Sequence, residues 1–140
     1  MKVVINNCYG GFSISNFAHK ELLRRKGKDC YFYEWGFNNG YHRIDDDPDK
    51  HFSVMVSTKD YGKHTNKIDS EHIIPYHNEK FRTDSDLIAM IEEFGSEKCS
   101  GRCAELEIVN IPSGSYYRIE EYDGLEYVEY RDEIEWLIAE

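Results

Sequence analysis

Apolar and polar positions alternate along this chain in two different periods, and the periods divide it into elements. Val3, Val4 and Ile5 form a short unbroken apolar run, the pattern of a strand covered on both faces. A polar turn with paired glycines follows, and Ser13 or Ser15 can cap what comes next. Ile14, Phe17, Ala18 and Leu22 then recur at helical spacing, which predicts a helix from about Ile14 to Lys26. Lys20, Arg24, Arg25 and Lys26 crowd its last turns and Gly27 supplies the stop. The aromatic run from Cys30 to Trp35 predicts a second strand, and strand, helix and strand together suggest a β-α-β unit with a parallel pair.

Residues 36–50 read as a loop. Phe52, Val54 and Val56 alternate within a strand expected between His51 and Thr58, and residues 59–80 are again irregular. Leu87, Ile88, Ile91 and Phe94 make the apolar stripe of a second helix, with Thr83 or Asp84 as its cap and Gly95 as its end. Strands follow at 103–111, 116–122 and 125–130, the last two joined by the hairpin dipeptide Asp123-Gly124. Ile134, Leu137 and Ile138 give the tail from Asp132 to Glu140 a short helical pattern. The sum is an α/β (α+β) single domain over residues 1–140: a mixed β-sheet, two main helices and a C-terminal β-hairpin.

Composition sharpens this picture. Eleven Tyr, seven Phe and two Trp supply the core area that few aliphatic residues leave wanting, so the chain is expected to fold. The net charge is −10, and Arg118 and Arg131 are the only cations among the many carboxylates of residues 104–140. That balance argues against direct nucleic-acid binding, which needs clustered Lys or Arg. No signal peptide precedes the first strand and no run approaches a membrane span, so a cytoplasmic setting with reduced thiols is expected.

Candidate chemistry gathers in two places. In the N-terminal turn, Asn6, Asn7, Tyr9, Gly10, Gly11 and Ser13 are candidate ligand-binding residues, because a glycine turn at a helix start exposes N–H groups to an anion. The same turn also reads as a tight β-α connection. It lacks the Gly-Lys-Ser/Thr end of a P-loop and the third glycine of a dinucleotide fingerprint. Before the second helix, Phe81, Arg82 and Asp84 could add a stacking ring and a guanidinium; an Arg82–Asp84 surface pair is the alternative. Cys8 with His19 is the candidate catalytic pair, against a packed inert thiol. Cys99 and Cys103 lack the paired short spacings of a zinc site, and His64, His72 and His77 lie at loose intervals, so no metal and no cofactor is expected. Glu105, Glu107, Glu120, Glu121, Asp123, Glu126 and Glu129 alternate as on a solvated sheet face.

The segments Val4-Ile-Asn-Asn-Cys-Tyr-Gly-Gly-Phe-Ser-Ile-Ser15, Arg82-Thr-Asp-Ser-Asp-Leu-Ile88, Gly101-Arg-Cys-Ala-Glu-Leu-Glu-Ile-Val-Asn-Ile-Pro112 and Ile119-Glu-Glu-Tyr-Asp-Gly124 resemble a family of small bacteriophage and prophage proteins without an established activity. The resemblance implies a phage accessory protein acting in the bacterial host cell on host takeover or host defence. Its expected mode is binding rather than catalysis, with a nucleotide-type immune signal as the leading ligand. The alternatives are an acidic inhibitor of a nucleic-acid-binding host protein, and a small Cys-dependent enzyme. The excess of aromatic residues suggests a homo-oligomer.

Overall fold

The computed structural model describes residues 1–36, 40–76, 78–131 and 136–140. Its strands are β1 (Lys2–Asn6), β2 (Tyr31–Gly36), β3 (Gly40–Arg43), β4 (Val54–Ser57), β5 (His64–Thr65), β6 (Leu106–Asn110), β7 (Tyr117–Tyr122) and β8 (Leu125–Tyr130). Its helices are α1 (Asn16–Arg25), α2 (Ser85–Phe94) and α3 (Ser96–Cys99). The α+β class and the C-terminal hairpin agree with the sequence pattern.

Local chemistry explains where the helices start and stop. The Ser15 side chain accepts the Ala18 N–H at 3.1 Å and so caps α1. At its other end Gly27 turns to φ +68° and the Lys28 N–H returns to the Leu23 carbonyl. Asp84 caps α2 by accepting the N–H groups of Asp86 and Leu87. Ala18, Leu22, Leu87 and Met90 lie on the inner stripes of the two helices and are fully buried.

Strand pairing departs from the sequence pattern. Every named strand pair is antiparallel, in three small sheets ordered β1-β6, β4-β2-β3-β5 and β7-β8. The expected parallel β1–β2 pair does not form: β6 lies beside β1 in register Val4 to Ile108. β2 is claimed instead by β3 and β4. β3 falls in the stretch read as loop, because Gly-Tyr-His-Arg shows no apolar alternation. A cross-strand Trp35–Tyr41 ring pair at 4.8 Å helps hold it.

β1 is the middle layer. Val4 faces the helices and packs in a cluster with Leu22, Met90 and Leu106, while Val3 and Ile5 face the hairpin and pack with Ile111, Ile119 and Val128. Its uninterrupted apolar run is therefore explained by cover on both faces. Two core layers meet at this strand, so its C-terminal end is where helices and hairpin must be joined. The expected helix at 132–140 falls partly on residues 132–135, outside the described residues, and residues 136–140 carry no regular structure. Among the described residues no helix is long and apolar enough to cross a membrane.

Candidate functional site

The glycine turn after β1 is packed as a joint between layers. Asn6 is fully buried and its side chain is saturated: Nδ2 donates to the carbonyls of Cys8 and Gly124, and Oδ1 accepts the Glu105 N–H, each at 2.8 Å. The Asn7 N–H donates to the Glu105 carbonyl. A Cβ on Gly10 would lie 1.9 Å from the Cys103 carbonyl oxygen, so only glycine fits between the turn and the 101–105 segment. The hairpin tip presses from the other side, where a Cβ on Gly124 would lie 2.4 Å from the Gly11 nitrogen. Tyr9 remains well exposed.

The second group of expected residues is also drawn inward. Arg82 makes a two-pronged ion pair with Glu126 at 2.5 and 2.7 Å, and its guanidinium carbon stacks 3.5 Å from the centre of the Phe12 ring. Both charged side chains are buried to about nine-tenths. The remaining Glu126 contact comes from the Asn6 backbone N–H, donated to Oε1 at 2.8 Å. Neither expected arrangement of Arg82 occurs: it does not pair with Asp84, which instead holds Lys26, and Asp84 itself occupies the N–H groups at the start of α2. Phe81 is buried, edge-on to Phe12 and Tyr76. Glu126 is likewise not on a solvated face, and Arg118 neutralises Glu120 and Glu129 on the same hairpin. A carboxylate-lined inhibitor surface is reduced accordingly.

The polar cavity lies at the start of α1, where about 410 Å³ is enclosed beside Ser13, Asn16, His19 and Arg102. Arg102 reaches across its mouth, donating to the Asp49 carbonyl at 2.9 Å with its guanidinium carbon 5.3 Å from the centre of the Phe52 ring. Among the described residues Arg102 has no carboxylate partner. Phe52 is 88 % exposed, against the expectation that it alternates into a strand with Val54 and Val56; β4 starts two residues later. An aromatic ring left in water beside an unneutralised guanidinium is a surface that a flat ligand would cover. Ser13 and Arg102 were within reach of sequence reasoning. Asp49 and Tyr76 were not, because they come from long polar connections without periodicity, and Phe52 was not because its alternation with Val54 and Val56 reads as a strand.

Two histidines at this cavity are shifted in opposite directions. Burial pushes His19 down from 6.5 to about 3, and the Tyr76 hydroxyl bonds its ring at 2.6 Å to Nδ1. His51 is raised, first by Asp46 on Nε2 and then by Glu34 on Nδ1, both at 2.8 Å. The unfolded chain carries both near 6.5. Folding therefore loses stability through His19 as pH falls below about 6.5, with a slope approaching about 1.4 kcal/mol per pH unit down to about 3. The His51 contribution has the opposite sense, being complete below 6.5 and lost as pH rises through its raised value. We expect His19→Gln, which keeps a polar partner for Tyr76, to flatten the stability slope between pH 6 and 5 in urea unfolding. An unchanged slope would show that His19 is not held neutral.

The thiols do not join this cavity. Cys8 and Cys103 border a neighbouring, more open cavity of about 620 Å³ that shares Ser100, Gly101 and Arg102 with this one but not His19. Cys99 is buried and donates weakly to the Met90 carbonyl at 3.8 Å; burial raises its thiol pKa. His64 stacks on His42, and His77 lies outside the described residues. Asp69, Glu71 and His72 bring one ligand atom each within 4.8 Å on an exposed turn, with Lys67 at 3.6 Å from Asp69. Three ligands with a lysine among them fall short of a closed metal centre. No protein-family model matches the chain, and no curated protein or solved structure is significantly similar to it.

Proposed function

We propose that this chain is an accessory binding protein whose cavity at the start of α1 takes an anionic small molecule of the nucleotide class. In the phage setting implied by the resemblance of its opening segment, such binding sequesters a nucleotide-type signal from host immunity. The observation that carries the reading is the Arg102–Phe52 pair at the mouth of the 410 Å³ cavity. An exposed ring offers a stacking platform to a base, worth on the order of 1–3 kcal/mol, and the guanidinium offers charge-assisted bonds to a phosphate. The start of α1 adds the positive end of its dipole and the hydroxyl of Ser13. Asp49, in the same wall, is an acceptor suited to a sugar hydroxyl.

Binding without turnover is favoured by the two histidines. Both ring nitrogens of His51 are engaged by carboxylates, and the His19 ring by Tyr76. The expected result is calorimetric binding of at least one member of a panel of mononucleotides and cyclic mono- and dinucleotides. Arg102→Ala and Phe52→Ala should each weaken it tenfold or more, about 1.4 kcal/mol, without moving the melting temperature. The reading fails if nothing in the panel binds, or if binding is indifferent to both substitutions.

A further inference from the structure

Two thiols meet at the joint between β1 and β6. Cys8 follows β1 in the glycine turn and Cys103 precedes β6, so antiparallel pairing of the two strands draws distant parts of the chain together. The pairing continues past the ladder, where the Asn7 N–H donates to the Glu105 carbonyl at 2.8 Å. One residue further on each side come Cys8 and Ala104, with Cys103 next in line. The turn then rides on Cys103 itself. The Gly10 N–H donates to the Cys8 carbonyl at 3.0 Å, closing a three-residue turn. A Cβ on Gly10 would lie 2.5 Å from the Cys103 Cβ, which places the Gly10 Cα within about 4 Å of that Cβ.

Cys8 and Cys103 also share the wall of the open cavity of about 620 Å³. The rest of that wall is small or polar, with Ser96, Ser100, Gly101 and Ala104, and it holds no ring and no branched apolar side chain. Cys103 is exposed and Cys8 half-buried, and among the described residues neither sulfur has a hydrogen-bond partner. The other thiols are placed differently. Cys99 is fully buried and donates to the Met90 carbonyl, and burial pushes the Cys30 thiol up to about 11.

We infer that Cys8 and Cys103 are a redox pair that hydrogen peroxide oxidises to an intramolecular disulfide. Cys103, the exposed member, reacts first. Its thiolate attacks a peroxide oxygen: the S–O bond forms, the O–O bond breaks, and the departing hydroxide takes up a proton as water. The Cys8 thiolate then attacks the sulfenic sulfur, forming the S–S bond and expelling hydroxide, which is protonated to a second water. The two sulfurs supply the two electrons that reduce the peroxide, and the two thiol protons end in the two waters. The bond staples the turn after β1 to the chain entering β6, where the helical and hairpin layers join. Such a pair stays reduced in a reducing compartment and closes under oxidant, as transient intracellular disulfides do. The chemistry needs no nucleotide, so it stands or falls independently of that reading.

Limited hydrogen peroxide on the reduced full chain, followed by alkylation under denaturing conditions and peptide mapping by mass spectrometry, tests it. The expected result is loss of the mass of two hydrogens and one cross-linked peptide pair holding Cys8 and Cys103. Cys30 and Cys99 should remain open to alkylation, and dithiothreitol should restore the starting mass. Circular dichroism should not change. The bond should form about tenfold faster in the folded chain than in urea, where the thiols are no longer held together. Cys8→Ser should leave a dimedone-reactive sulfenic acid on Cys103 and no disulfide. The inference is overturned if both thiols stay free, if each goes separately to sulfinic acid, or if the mapped bond joins other cysteines or two copies. A rate that urea does not lower overturns it too, since chance encounter would then suffice.

Discussion

Arg82→Ala should cost about 3–5 kcal/mol of folding stability, a large part of the roughly 5–15 kcal/mol available to a domain of this size. The reason is the geometry around Glu126. Its side chain is 6 % exposed, and Arg82 satisfies both of its oxygens while Asn6 donates a backbone N–H to one of them. Removing the guanidinium leaves a carboxylate out of water with a single donor, and desolvation is then uncompensated. It also takes a flat cation off the Phe12 ring. Arg82→Lys should fall between wild type and Arg82→Ala, because an ammonium can neither fork across two oxygens nor stack. Arg82→Met/Glu126→Gln should recover much of the loss, since it abolishes the buried charge and keeps an acceptor for Asn6. Urea unfolding of the four proteins measures this. A loss under about 0.5 kcal/mol for Arg82→Ala would mean that the pair is solvated, as a surface ion pair is.

Asn6→Ala should cost about 3 kcal/mol, because one side chain satisfies three backbone groups. The carbonyls of Cys8 and Gly124 and the N–H of Glu105 belong to three different segments, and losing Asn6 takes this partner from the Gly124 carbonyl and the Glu105 N–H at a buried point, while the Cys8 carbonyl keeps the Gly10 N–H. Asn6→Asp is the sharper variant. It keeps the acceptor for Glu105 but sets a carboxylate against two carbonyl oxygens, beside the buried Glu126. It should therefore be worse than Asn6→Ala at neutral pH and approach it as the pH falls and the new carboxyl protonates. Stability curves of the two variants from pH 7 to pH 4 give the comparison. Parallel curves would show that water already reaches Asn6.

Asn6 and Arg82 are both residues that the sequence singles out for ligand binding. A polar side chain next to a glycine turn, and an arginine before a helix, carry the same local signature whether they meet a ligand or another part of the chain. Asn6 and Arg82 meet Gly124 and Glu126, about 118 and 44 residues away. No local pattern encodes those contacts. The helices were legible because Ser15, Gly27, Asp84 and Gly95 act on neighbours within a turn. The hairpin was legible because Asp123 and Gly124 both take positive φ, as a two-residue turn requires.

Pairing between strands was not legible in this way. β1 carries an apolar run that fits a parallel neighbour, yet what it reports is only that both faces are covered. β6 covers an edge and the helices and hairpin cover the faces; β6, α2 and the hairpin come from far along the chain, in the second half of the sequence. The cavity at the start of α1 has the same origin. Its Ser13 and Arg102 are visible as polar residues near a helix start and in a turn, while Asp49 and Tyr76 arrive from connections without a period and Phe52 from a position whose alternation reads as a strand.

The sequence by itself therefore determined what depends on neighbours within a few residues: the helices, their caps, the hairpin turn and the apolar stripes that face the core. Tertiary structure alone decided which strands pair, which carboxylate is buried, and whether a cation is spent inside the fold or left at a surface. The physical reason is range. Backbone hydrogen bonds in a helix or a two-residue turn close locally, whereas burial and ion pairing depend on segments that the chain brings together only when the whole core forms.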